Sequence, residues 1–232
     1  MTPIVFLPGF DGAGELRREF TDALREHHDV RAVSYPHVAL GTLDRYREHA
    51  MAHAPVDWRP ILVAESFSGL VATRWAAVDS RVRALVLCGS FARNPVGFAA
   101  GLGAAFPAMV KRGPMVFAPF AAASGDAARV RWSAALAKAM SELPPAVVAE
   151  RLRLIAAEDI GPTLRALDIP VLLVQFDDDD VIGGRARAHL ETVCHNAQVL
   201  RLPGPHFSIE TRPRESAAAI GARIRQLPDR NA

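Results

Sequence analysis

A chain of 232 residues with 50% hydrophobic composition is long enough to bury one large core, and a formal charge of +2 is too small to advertise a nucleic-acid partner. No run of Lys and Arg is interleaved with aromatics, which disfavours nucleic-acid binding further. Two cysteines, Cys88 and Cys194, make no disulfide framework and read as reduced thiols. The opening residues show no basic n-region, long apolar core or small-residue cleavage site, so the expectation is a cytoplasmic protein without a secretory signal.

Along the chain, Pro3 to Leu7 reads as a first strand running into the glycine-rich turn Pro8-Gly9-Phe10-Asp11-Gly12-Ala13-Gly14, whose backbone N–H groups can be aimed at an oxyanion. Helical spacing follows over Glu15 to His27, a strand over Arg31 to Tyr35 and a helix over Leu43 to Ala52. The apolar run Pro60 to Ala64 then meets Glu65-Ser66-Phe67-Ser68-Gly69 and the helical stretch Gly69 to Val78. A serine at a tight strand-to-helix turn is in the position of an activated nucleophile, and such a turn needs small neighbours two residues away on either side. Ala64 and Ser68 satisfy this for Ser66, whereas Ser68 would have Leu70 at the second-next place. The alternative role for Ser66 is that of a helix N-cap.

Arg83 to Cys88 reads as the fourth strand, after which Gly89 to Ile169 carry helical patterns and no strand. A structureless loop of that length would be out of place in a compact domain. From Asn94 to Gly125 the only charges are Lys111 and Arg112, yet glycines and prolines break the apolar pieces well short of the roughly 20 residues of a membrane span. Pro170 to Gln175 forms the fifth strand and opens into Asp177-Asp178-Asp179-Asp180, an acid loop that could alternatively suggest a divalent cation. No second cluster at ligand spacing accompanies it, so no metal is expected. A helix over Gly184 to Val193, a strand over Ala197 to Leu202 and a helix over Arg214 to Gln226 complete the series. Between the last two lies Pro203-Gly204-Pro205-His206-Phe207, which projects one histidine from a strand end. The other seven histidines, among them His28 and His189, read as solvated.

Near-continuous apolar strands alternating with helices predict an α/β, doubly wound, mostly parallel sheet, with the loops of Ser66, His206 and the aspartates together at the carboxyl ends of the strands. Serine at its ordinary pKa is a weak nucleophile and needs a base, for which His206 is the candidate.

With these motifs in this order, the chain resembles the α/β-hydrolase superfamily along essentially its whole length. The resemblance implies Asp179 as the acid that orients His206, with Asp178 its nearest rival, and the backbone N–H groups of Phe10 and Phe67 as oxyanion donors. It further implies a helical cap at residues 92–160 over a core of 1–91 and 161–232. Leu7-Pro8-Gly9 replaces the commoner His-Gly start, and Ala64 stands for the first glycine of the elbow. Phe10, Phe67, Phe106 and Met109 are candidate substrate contacts; Phe106 and Met109 are equally suited to ordinary packing, and the rings of Phe10 and Phe67 better suited to it.

The expected activity is hydrolysis of a carboxylic ester or thioester with an apolar acyl group, without cofactor or metal, by a monomer or dimer. An alternative is an acyl group on coenzyme A or a carrier protein, since Arg93, Lys111, Arg112, Arg129, Arg131 and Lys138 stud the cap and could meet an acidic carrier. Some superfamily members of similar size and cap position demethylate a pimeloyl-carrier methyl ester. A second alternative is a catalytically silent ligand receptor.

Overall fold

The computed structural model describes residues 1–95, 127–179 and 181–228. Its strands are β1 (Thr2–Leu7), β2 (His28–Ala32), β3 (Ile61–Glu65), β4 (Ala84–Cys88), β5 (Val171–Phe176) and β6 (Gln198–Leu202). They form one sheet of order β2-β1-β3-β4-β5-β6, parallel at every pairing. The expected parallel, doubly wound architecture is therefore present.

Side chains alternate between the two faces at the strand period of two, and both faces are covered. Val5, Leu7, Leu62, Ala64, Leu85, Leu87 and Leu173 face one buried layer, whereas Ile4, Phe6, Val63, Val86, Leu172 and Val174 face the other. On the first face lie helices α2 (Leu43–Ala52) and α3 (Ser68–Val78), joined by α6 (Gly161–Ala166) and α7 (Gly184–Val193). On the second lie α1 (Arg18–Arg25), the short α8 (Ser208–Thr211) and α9 (Pro213–Ile224). This burial on both faces explains why the central strands lack an alternating polar pattern.

The second strand departs from expectation: it spans His28–Ala32, not Arg31 to Tyr35. Val33 and Tyr35, the apolar residues that suggested the later span, are indeed buried, but beyond the strand end. Only the Val33 N–H continues the ladder, donating to Phe6 O at 2.9 Å. His28, read as solvated, is 2% exposed, and burial lowers its pKa from the ordinary histidine value.

Between β4 and β5 stand α4 (Ala127–Glu142) and α5 (Pro145–Ala157), ahead of α6. Pro145 sits in the first turn of α5, where its missing N–H breaks no helix bond. Leu143, Val147 and Val148 form a small buried cluster of their own, against which Phe10 packs. Phe106, Met109, Lys111 and Arg112 lie outside the described residues. Among those described, no helix is long and apolar enough to cross a membrane.

Candidate active site

β3 ends at Glu65 and α3 begins at Ser68, so the chain reverses within two residues. Ser66 alone among the described non-glycine residues has a positive φ, of 48°. Such a conformation costs about 1–3 kcal/mol and persists only where surrounding bonds over-determine it. Here the Ser66 N–H donates to Cys88 O at 2.8 Å, while Ser66 O accepts from Gly69 N at 3.0 Å and Ser90 Oγ at 2.9 Å. A Cβ on Gly69 would stand 1.8 Å from Ser90 Oγ, so the close approach of α3 to the β4 loop requires glycine. Ser68, weighed as a rival nucleophile, is fully buried; its hydroxyl donates to Pro8 O and lies 2.7 Å from Tyr35 Oη.

The carboxyl end of β6 turns through Gly204, at φ +113°, to His206. His206 Nε2 is 3.1 Å from Ser66 Oγ, and Nδ1 is 2.9 Å from Asp179 Oδ2. Asp179 follows β5, and its other oxygen, Oδ1, accepts the N–H groups of Val181 at 3.0 Å and Ile182 at 2.7 Å. All three side chains are buried, Ser66 at 9% exposure being the most reachable. Asp177 and Asp178 are exposed, and their N–H groups tie the acid loop to Leu202 O and Gly204 O of the histidine loop. The acid loop and the histidine loop are thus one hydrogen-bonded unit.

The register of β1 on β3 pairs Leu7 with Ala64, which carries Phe10 alongside Phe67 three residues further on. Their rings meet edge to face at 6.4 Å. Phe67 is the N-cap of α3, at the end where helix N–H groups lack internal partners and favour negative charge. Thus Ser66, Asp179, His206, Phe10 and Phe67 come together, whereas Phe106 and Met109 fall outside the described residues. Of the predicted cap cations, Arg131 and Lys138 are exposed on α4, Lys138 lies 3.9 Å from Glu142, and Arg93 bridges to Asp159 through its backbone.

Several buried polar residues were not anticipated. Arg17, 1% exposed, gathers three carboxylates: Glu65 at 2.7 Å, Asp11 at 2.7 Å and Glu210 at 2.9 Å. Burial opposes the Arg17 charge, but the carboxylates more than offset it and hold its pKa well above the ordinary value. Burial, followed by the Glu65 charge, pushes Glu210 well above the usual carboxylate range against the pull of Arg17. Arg151 on α5 is also buried, donating to Phe10 O at 2.6 Å and Tyr46 Oη at 3.1 Å. Both arginines sit on apolar helical faces, Arg17 in step with Phe20 and Leu24, Arg151 with Val147, Val148 and Leu154. That spacing is the signal in the sequence that could have found them.

Trp132 of α4 stacks on Phe207 at 4.2 Å, and Phe207 meets the His206 ring edge-on at 4.9 Å. Both cysteines are free and buried; burial pushes the Cys88 thiol far up and that of Cys194 to about 11, so neither offers a ready thiolate. Among the described residues, no three His, Cys, Asp or Glu side chains are grouped to hold a metal ion.

No protein-family model matches the sequence, and no curated protein matches it. Solved structures do resemble it. An esterase from Rhodococcus sp. ECU1013 superposes with a TM-score of 0.79 at 22% identity, covering 98% of this chain and 91% of that one. A bromoperoxidase from Bacillus anthracis gives 0.78 at 17% identity over 97% and 92% of the two chains. An α/β-hydrolase enzyme from a Medee basin deep-sea metagenome library gives 0.76 at 14% identity, covering all of this chain and 91% of that one. The protein therefore has the α/β-hydrolase fold.

Proposed function

We propose that the protein is a serine hydrolase of carboxylic esters or thioesters, in which Ser66 is the nucleophile, His206 the general base and Asp179 the residue that orients it. One observation carries this reading: a serine held at positive φ on a strand-to-helix turn lies 3.1 Å from a histidine whose other nitrogen lies 2.9 Å from a buried carboxylate. The resemblance in fold to an enzyme named as an esterase supports it.

As Ser66 Oγ attacks the carbonyl carbon, its proton passes to His206 Nε2. Asp179 fixes the proton on Nδ1 and stabilises the imidazolium that forms. The carbonyl oxygen becomes an oxyanion held by the N–H groups of Phe10 and Phe67. Collapse of the intermediate expels the alcohol or thiol, which takes the proton from Nε2 and leaves an acyl group on Ser66. Water, deprotonated in turn by His206, releases the acid. The cycle draws on no cofactor or metal. α4 and α5 belong to the cap, which meets the histidine loop through Trp132 on Phe207.

Hydrolysis of a p-nitrophenyl ester series from acetate to laurate tests the reading. Turnover that rises and then falls with chain length is expected, the optimum giving the length of the acyl pocket. Complete inactivity across the series, with no serine-directed labelling, would instead favour a non-catalytic receptor.

A further inference from the structure

The oxyanion donors stand on two separate pieces of chain. Phe67 caps the N-terminus of α3, whereas Phe10 belongs to the loop that leaves β1. Arg151 Nη1 grips that loop at Phe10 O and Ser68 Oγ at Pro8 O, and the N–H side of the loop is held by the buried carboxylate directly before the nucleophile. Glu65 Oε2 accepts the Gly9 N–H at 3.1 Å and Arg17 Nε at 2.7 Å, and Oε1 accepts Arg17 Nη2 at 2.7 Å. Arg17 Nη1 then donates to Asp11 Oδ1 at 2.7 Å and to Ala13 O at 3.3 Å. Asp11 Oδ1 also takes the Ala13 N–H at 2.8 Å.

Besides the bonds at Pro8 O and Phe10 O, this network attaches the loop at residues 9, 11 and 13, so that the Phe10 N–H lies between two attachment points. We propose that Glu65 is a positioning residue for the oxyanion hole, setting the Phe10 N–H against Ser66 by clamping Gly9 and Arg17. This proposal rests on the serine-hydrolase reading of the site.

Glycine at position 9 belongs to the device, because a Cβ there would stand 2.7 Å from Glu65 Oε1 and 3.2 Å from Arg17 Nη2. Charge also distinguishes the members of the cluster. Three ionised carboxylates around one guanidinium would leave two net negative charges in a fully buried site, where uncompensated charge is strongly disfavoured. Neutralising Glu210 removes one of them, and the raised pKa of that group agrees. Glu65 accepts on both oxygens, from the Gly9 N–H and from Arg17 twice, whereas Glu210 meets Arg17 at a single contact. Glu65 is the carboxylate whose two acceptor oxygens the clamp needs, and Glu210 the one that a neutral amide can imitate.

The test compares Glu65→Gln, Glu210→Gln and wild type for p-nitrophenyl ester hydrolysis and for inhibition by an arylboronic acid, whose tetrahedral adduct uses the oxyanion donors. Displacing a catalytic group by about 1 Å costs on the order of 100-fold. Glu65→Gln is expected to lower kcat by about 10- to 100-fold with KM within about threefold, and to weaken boronate inhibition by a similar factor. Glu210→Gln is expected to lose less than about fivefold in either readout.

Should Glu65→Gln fail to fold, Gly9→Ala crowds the same contact without removing the charge and is expected to show the same paired loss. A lowered melting temperature with kcat and boronate affinity unchanged would reduce Glu65 to a structural residue and overturn the proposal, as would equal losses in the two Gln variants. Inactivity of the wild type toward both esters and boronate would be a different failure, that of the hydrolase reading itself.

Discussion

Replacing Ser66 with alanine is expected to lower kcat for p-nitrophenyl ester hydrolysis by about 10^4- to 10^6-fold, the scale on which single nucleophile deletions act in serine hydrolases. Residual rate would come from substrate binding and the oxyanion N–H groups, which the substitution leaves in place. KM should change little, because Ser66 Oγ makes its bond only as the transition state is approached. The backbone bonds of the elbow, to Cys88 O, Gly69 N and Ser90 Oγ, do not involve the removed hydroxyl, so the variant should fold normally. Parallel kinetics and a thermal melt check both halves of this expectation. A folded alanine variant that retains more than about a tenth of the activity would place the nucleophile elsewhere.

The second large effect separates neighbouring aspartates. Asp179 accepts on both oxygens, from two backbone N–H groups at Oδ1 and from His206 at Oδ2. An asparagine has one acceptor to serve both, so its NH2 must face either the Val181 and Ile182 N–H groups or His206 Nδ1. If the oxygen keeps the loop, His206 is driven to the tautomer with its proton on Nε2, where it can no longer take one from Ser66. Asp179→Asn is therefore expected to reduce kcat by about 10^4-fold. Asp178→Asn should stay within about twofold, since that side chain is exposed and it is the backbone N–H, donating to Gly204 O, that ties the residue down. Steady-state kinetics of the two variants decide the register, and equal losses would contradict the assignment.

Much of this arrangement was legible because burial on both sheet faces leaves a clear mark on sequence. Val171 to Gln175, or Ile61 to Ala64, could hardly be anything but a central strand, and once strands alternate with helices the carboxyl-end loops must share an edge. Ser66 and His206 followed from what a nucleophile turn and a strand-end base require. Asp179 did not follow from chemistry alone. Four successive aspartates look alike in one dimension, and what turns Asp179 inward is a pair of N–H groups two and three residues ahead.

The Arg17 cluster was less visible still, because Glu65 is 48 positions from Arg17 and their pairing depends on how the β1 loop crosses β3. Edge positions misled for a related reason. At the sheet border Val33 and Tyr35 are buried by neighbouring loops and helices, with Tyr35 bonded to Ser68 and packed edge-on against Tyr46, so an apolar run there does not mark a strand.

Intact-protein and peptide mass spectrometry after reaction with an alkyl fluorophosphonate tests the central claim most directly, because the reagent needs the nucleophile, its base and the oxyanion donors acting together and needs no knowledge of the natural substrate. One phosphonyl group per chain, located on Ser66 and absent when His206 is replaced by alanine, is the predicted result. A folded wild-type protein that remains unlabelled, or that is labelled at another residue, would contradict the account.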